Sequence, residues 1–404
     1  MRFGVFYEQQ IPRPWEEGRE HEVIQNALVE VEYADKWGID YAWAMEHHFL
    51  EEYSHSSAPE VFLAAAAART KRIRLGHGVV LTPPAFNHPA RVAERIATLD
   101  LVSSGRVEFG TGESASRVEL EGFNVDVKSK KEMWQEATTQ ICRMLTETPY
   151  PGFEGKYFSM PSRNVVPKPL QKPHPPLWLA CSNRDSIRRA AQLGMGALTF
   201  TFLTPAEAKT WVDDYYTTFK NECEPIGQVV NPNITMVTGF ACHEKEGEAE
   251  RRAAEGFDFF AFGLGHYYVF GEHTPGRTDV WARFKRGAGP SHGVFNLKNR
   301  DGLGTPDQVR KYLRGFADAG VDQVGFLQQC GRNRHEDILE SLELFAAKVM
   351  PEFHEEEIRR QARKADELGP FIEKALARRK VHEPIDPPKI EAYARARLAQ
   401  ASSE

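Results

Sequence analysis

The sequence predicts an α/β chain folded as a (β/α)8 TIM barrel, on two observations. Eight short apolar runs alternate with amphipathic helical stretches across residues 2–350. Such alternation implies parallel strands joined by crossover helices, and eight units favour a closed barrel over an open doubly wound sheet. In addition, the second run, Tyr41-Ala42-Trp43-Ala44-Met45, stops abruptly at Glu46-His47-His48. Ionisable groups at the carboxyl end of a strand mark the mouth of a barrel, where chemistry is done.

Taken in order, the strand-like runs fall at 3–7, 41–45, 73–81, 107–111, 176–180, 197–202, 234–242 and 323–328. Helical patterns lie between them near 21–37, 58–70, 89–103, 128–147, 183–193, 205–222, 245–256 and 306–319, and a last one near 335–348 follows the eighth strand. Gly38, Gly105, Gly194 and Gly320 each stand where a helix should close. Thr305-Pro306 opens a helix with a cap residue followed by proline.

Two stretches depart from the alternation. Residues 149–176, dense in proline, predict an extended, largely irregular insertion before the fifth strand. Residues 257–304, rich in glycine, histidine and aromatics, predict a long insertion before the eighth, read as a lid or wall. We divide the chain into a barrel, 1–350, and a charged helical C-terminal extension, 351–404. Breaks are expected in that extension at Pro370, Pro384, Pro387 and Pro388, and it either wraps the barrel or a neighbouring subunit or forms a disordered arm.

Composition excludes some functions. The 404 residues are 41% apolar and 27% charged with a net charge of −6, a globular balance lacking the basic footprint of nucleic-acid binding. No run approaches the roughly 20 apolar residues of a membrane span. Residues 1–7 read as a strand rather than a signal peptide. The five cysteines are scattered with no Cys-x-x-Cys pair, which points to a reducing cytoplasm and to cysteines acting as small buried residues.

Glu46-His47-His48 lacks the convergent helical spacing of a zinc site, so no metal is expected there. Further motifs occur in register. Arg2-Phe3-Gly4-Val5-Phe6 opens the chain, His88-Pro89-Ala90-Arg91 starts the third helix, Gly105-Arg106-Val107-Glu108-Phe109-Gly110 leads the fourth strand, and Gly304-Thr305-Pro306 starts a late helix. Together with Glu46-His47-His48-Phe49, these resemble the bacterial luciferase-like family of flavin-dependent monooxygenases over residues 2 to 350.

The resemblance implies a two-component FMN-dependent monooxygenase. It would receive reduced FMN from a separate flavin reductase and react it with O2 through a flavin hydroperoxide, to hydroxylate a small organic substrate or insert oxygen by Baeyer–Villiger chemistry. No nicotinamide fingerprint is present, since Gly110-x-Gly112 lacks its third glycine. His47 falls on the family's catalytic histidine, suited by a near-neutral imidazole to move a proton, with Glu46 orienting it and His48 packing outward. The alternative for His47 is a structural strand cap.

The resemblance places Gly78-Val79 beneath the flavin ring, where the family carries a non-proline cis peptide; otherwise Gly76 and Gly78 only let the strand bend. Ser182-Asn183-Arg184 coincide with the phosphate site at a helix N-terminus, where an ordinary capping box would look the same. Lys131, with its neighbour Lys130, matches a basic residue reaching that phosphate. Glu113 stands where some luciferases have a phosphate-binding arginine, and is assigned to the ring, a ribityl hydroxyl or the substrate. Phe6, Phe200, Phe202, His266, Tyr267 and Trp281 are the expected substrate walls. Family membership also implies a homodimer. The alternatives are a deazaflavin-dependent hydride-transfer enzyme and a non-catalytic flavin-binding subunit.

Overall fold

The computed structural model describes residues 1–200, 202–287, 300–383 and 385–390. Thr201 of the expected sixth strand, residues 288–299 of the second insertion, Pro384 and residues 391–404 of the extension lie outside the described residues. Eight parallel strands close a barrel: β1 Arg2–Tyr7, β2 Tyr41–Ala44, β3 Arg74–His77, β4 Val107–Thr111, β5 Leu177–Cys181, β6 Gly196–Thr199, β7 Ile234–Gly239 and β8 Gln323–Leu327. The ladder runs in chain order around the ring and β1 pairs with β8, Gly4 opposite Gly325. The surrounding helices are α1 Arg19–Trp37, α2 Pro59–Arg69, α3 Pro89–Val102, α4 Lys130–Thr146, α5 Arg184–Gln192, α6 Pro205–Glu222, α7 Pro306–Asp318 and α8 His335–Lys348.

Strand alternation sorts the side chains into two apolar clusters. Phe3, Val5, Leu75, Val107 and Phe109 face outward and pack under the helices. Phe6, Trp43, Met45, Trp178, Leu198 and Val237 face inward. Room for the two interior tryptophans is made by glycine. A Cβ on Gly76 would stand 2.1 Å from Trp43 Cε3, and one on Gly196 would stand 2.4 Å from Trp178 Cε3. The two indoles meet edge to face at 5.3 Å. Trp43 Nε1 donates to Gln323 at 3.2 Å and Trp178 Nε1 donates to Glu108 at 2.6 Å, so the barrel floor is a filled, hydrogen-bonded plug.

The helix boundaries follow the expected chemistry. Gly38 and Gly320 close α1 and α7 at φ 89° and 88°, a left-handed conformation that glycine adopts without steric cost. Thr204, Thr305 and Asn183 each cap a helix in a reciprocal capping box.

Three expectations need correction. The 149–176 insertion is not irregular throughout, because Tyr150–Glu154 and Ser159–Arg163 form an antiparallel hairpin. The helix expected at 245–256 runs over Glu248–Gly265 and continues as a π-helical turn, His266–Phe270. It lengthens because Phe257, Phe260, Leu264 and Tyr267 join the interior cluster and cap the barrel mouth. Within the described residues the extension opens as one helix, Met350–Arg378, with no break at Pro370, and residues 380–383 and 385–390 after it form no helix or strand. Proline removes one amide donor, but packing on both sides of it holds the helix straight through. Before it, Arg360 and Lys364 donate to Asp322 at 2.8 and 2.7 Å; after it, Phe371 and Ile372 pack on the core. Burial opposes charge on Asp322, yet Lys364 and Arg360 outweigh it and hold that carboxyl well below the usual range. This helix therefore clasps the amino-terminal face of the barrel, the end opposite the mouth.

Candidate active site

The loops after β1, β2 and β4 converge at the mouth. Strand β2 ends at Ala44, so His47 lies in the loop beyond it and its direction is set by partners rather than by the pleat. Its Nδ1 lies 3.1 Å from Glu119 Oε1 and its Nε2 lies 3.4 Å from Glu8 Oε2. Glu8 directly follows β1, and Glu119 sits in a short helix, Arg117–Gly122, after β4. All three side chains are buried. Burial by itself disfavours the imidazolium, but Glu8 and Glu119 outweigh that cost and push His47 up to about 10. Burial likewise opposes the Glu119 carboxylate, and His47 reverses it and lowers its pKa. The near-neutral imidazole expected at this position is thus a clamped imidazolium, because each ring nitrogen faces a carboxylate.

The inserted segment completes this cluster. Tyr268 of the π-helical turn brings its hydroxyl within 3.3 Å of His47 Nδ1, and Tyr53 donates to Glu8 Oε1 at 3.3 Å. Ser116 ties the neighbouring lid carbonyl, Tyr267 O, at 3.2 Å, while Ser114 donates to Glu119 Oε2 at 2.6 Å. A chain of rings from Phe202 through Phe260 to Tyr53 and His47, each step between 5.3 and 5.7 Å, roofs the barrel. The arrangement can hold a fixed cation beside a reacting centre and keep water away from it.

Residues 1–323 match the family described as luciferase-like monooxygenase. The chain belongs to that family. Its enzymes are flavin-dependent monooxygenases, and the chain is an oxidoreductase of that kind. It is 26% identical over 366 residues to the oxygenase component of flavin-dependent trigonelline monooxygenase from Acinetobacter baylyi, covering 89% of this chain and 98% of that protein. Two solved structures share the fold. The oxygenating constituent of 3,6-diketocamphane monooxygenase from Pseudomonas putida, in complex with FMN, aligns at TM-score 0.67 and 19% identity over 87% of this chain and 98% of its own. An F420-dependent secondary alcohol dehydrogenase aligns at TM-score 0.65 and 17% identity over 86% and 98%.

Against this luciferase-like frame the expected site residues divide. Glu46 does not reach His47. Its Oε1 accepts from His48 Nε2 at 3.1 Å and Asn87 at 2.8 Å, and its Oε2 accepts from Leu81 N at 2.8 Å, so it ties the second and third loops together. His48 packs among Phe49, Phe86 and Phe123. Among the described residues every cis peptide precedes a proline, so Gly78–Val79 is not cis. Gly78 serves a close approach instead: a Cβ there would stand 2.2 Å from Met45 Sδ. Lys131 is exposed, since neighbours on a helix point about 100° apart, and it is Lys130 that reaches the mouth, with Nζ 3.3 Å from Glu113 Oε1. Glu113 Oε2 has no hydrogen-bond partner among the described residues.

Ser182 and Asn183 are exposed at the N-terminus of α5, and Asn183 caps it through Ser186. Backbone donors at that helix end fit the phosphate of a flavin. Arg184 is turned away, its Nε donating to Asp214 of α6 at 2.6 Å. Phe6 and Phe200 meet at 5.3 Å inside the barrel. His266 is buried in the lid and burial pushes it down to about 4. Trp281 packs behind the lid on Phe259 and Phe284, with the Arg332 guanidinium 4.3 Å from its ring. All five cysteines are free and buried, and burial raises each thiol pKa.

Sequence reasoning missed Glu8, Tyr53 and Glu119, and placed Tyr268 only within the aromatic insertion 257–304 read as a lid. Glu8 carried a usable signal, because it follows its strand as directly as the Glu46 group follows the second. Glu119 carried none, and neither did the contact of Tyr268 with His47, since both depend on how distant loops fold over the mouth.

Proposed function

We propose that the chain is the oxygenase component of a two-component FMN-dependent monooxygenase. It takes reduced FMN from a separate flavin reductase and transfers one atom of O2 to a small organic substrate, by hydroxylation or Baeyer–Villiger insertion, the other atom leaving as water as the two electrons of the reduced flavin are spent. The observation that carries this reading is the sealed aromatic lid over the Glu8–His47–Glu119 cluster at the barrel mouth. Oxygen activation by a reduced flavin needs a site that excludes water, and this roof supplies one. The relative from Acinetobacter baylyi, itself an oxygenase component, supports the division of labour.

Bound FMN would supply the electrons that activate oxygen. The chain supplies everything else. Backbone amides at Ser182 and Asn183 would hold the phosphate, and the Gly78-Val79 backbone with Glu113 would line the ring site. The His47 imidazolium places a fixed positive charge beside the developing negative charge, and the two carboxylates its ring nitrogens face hold it in that state. Tyr268 closes the lid onto it. The chain is placed in the cytoplasm, where five free buried cysteines stay reduced, and as a homodimer.

A deazaflavin-dependent hydride transfer is the second reading, because the same barrel serves the F420-dependent alcohol dehydrogenase. Anaerobic titration with reduced FMN and with reduced deazaflavin, each followed by admission of oxygen, separates them. Binding of reduced FMN with rapid oxygen uptake is the expected result. Binding of the deazaflavin alone, with no uptake, overturns the monooxygenase.

A further inference from the structure

We propose that the substrate held at this mouth is an organic cation, a nitrogen-centred positive charge on a small frame, and that Glu8 is the carboxylate that recognises it. The inference rests on the oxygenase reading above and adds the substrate class to it.

Charge is unbalanced at the site. Glu119 is fully engaged: Oε1 receives His47 Nδ1 at 3.1 Å and His48 N at 2.8 Å, and Oε2 receives Ser114 at 2.6 Å. His47 can neutralise only one of the two carboxylates, and its closer contact is with Glu119 rather than with Glu8 at 3.4 Å. Among the described residues no lysine or arginine pairs with either acid. Glu8 is 1% exposed, and beyond its 3.4 Å ion pair with His47 its Oε2 accepts no hydrogen bond among the described residues. A buried carboxylate without full compensation is costly, and a ligand of opposite charge relieves it.

The walls have matching chemistry. Tyr53 stands with its ring 6.0 Å from Tyr268 and 6.3 Å from Tyr267, and the Tyr267 hydroxyl is buried with no partner among the described residues. Electron-rich phenol faces beside an anion attract an alkylammonium or a heteroaromatic cation, whereas a carboxylate-only substrate would be repelled. Specificity then follows from charge: a neutral isostere leaves Glu8 unpaired in the closed site.

The test titrates the full chain, saturated with oxidised FMN, by calorimetry with choline and with its neutral carbon isostere 3,3-dimethylbutan-1-ol. Choline is expected to bind about tenfold tighter, and Glu8→Gln is expected to erase the preference. Equal binding of the pair, binding of neither, or an unchanged preference in a folded Glu8→Gln protein overturns the proposal. Should Glu8→Gln fail to fold, the pair measured on the unmodified chain decides alone. Oxygen uptake with reduced FMN reports separately on the oxygenase reading. Uptake without cation preference defeats only the substrate class, and preference without uptake defeats only the oxygenase.

Discussion

Replacing Glu119 by glutamine removes one of the two charges that hold His47 protonated while keeping one carbonyl oxygen, enough for the His48 amide or for Ser114 but not for both, since they donate to different carboxylate oxygens. In the intact protein His47 is raised from 6.5 to about 10. One pH unit of such displacement is worth about 1.4 kcal/mol, so the whole displacement corresponds to on the order of 5 kcal/mol before the cost of burying the carboxylates. A group raised in the folded state contributes stability that is fully present below its unfolded pKa and lost as pH rises through the folded one. For His47 that loss falls between pH 6.5 and about 10. Glu119, lowered in the folded state, contributes in the opposite sense: its stabilisation is present above the ordinary carboxylate pKa of 4.5 and lost as pH falls below it. NMR of histidine-labelled protein should show His47 charged and flat across about pH 6 to 8. In Glu119→Gln its titration should move down toward neutrality, and unfolding experiments should show weaker loss of stability on the alkaline side. A His47 that titrates near 6.5 in the unmodified protein would refute the clamp.

Other substitutions probe the remaining contacts. His47→Ala strands two buried carboxylates, so we expect it to cost about 3–5 kcal/mol in urea unfolding as well as abolishing product formation. Tyr268→Phe should leave the unfolding free energy within about 1.5 kcal/mol of the original, yet divert oxygen uptake toward released hydrogen peroxide, measurable by a peroxidase-coupled assay. Gly76→Ala forces a methyl against the Trp43 ring and should destabilise by about 1–3 kcal/mol, read as a lower melting temperature. Asp322→Asn should loosen the C-terminal helix, seen as faster proteolysis between Arg360 and Arg378, with flavin binding at the opposite face unaltered.

Much of the barrel was legible along the chain. Strand alternation, the glycine stops at Gly38 and Gly320, the Thr305-Pro306 start and the placing of His47 at a strand end all depend on neighbours a few residues away, which a sequence displays directly. The state of His47 did not. Glu119 lies 72 positions from it and Tyr268 lies 221 positions away, and neither approach is encoded by local spacing. Pro370 reads as a helix breaker until Asp322 and the core are seen to hold the helix on either side. Lys130 and Lys131 are equivalent in a string and differ only once α4 presents one to the mouth and the other to solvent. Local propensity therefore determined the elements and their order, because backbone geometry is a short-range property. The charge, the partners and the roof of the site were decided by tertiary structure, because electrostatics and exclusion of water act between groups that only the closed barrel brings together.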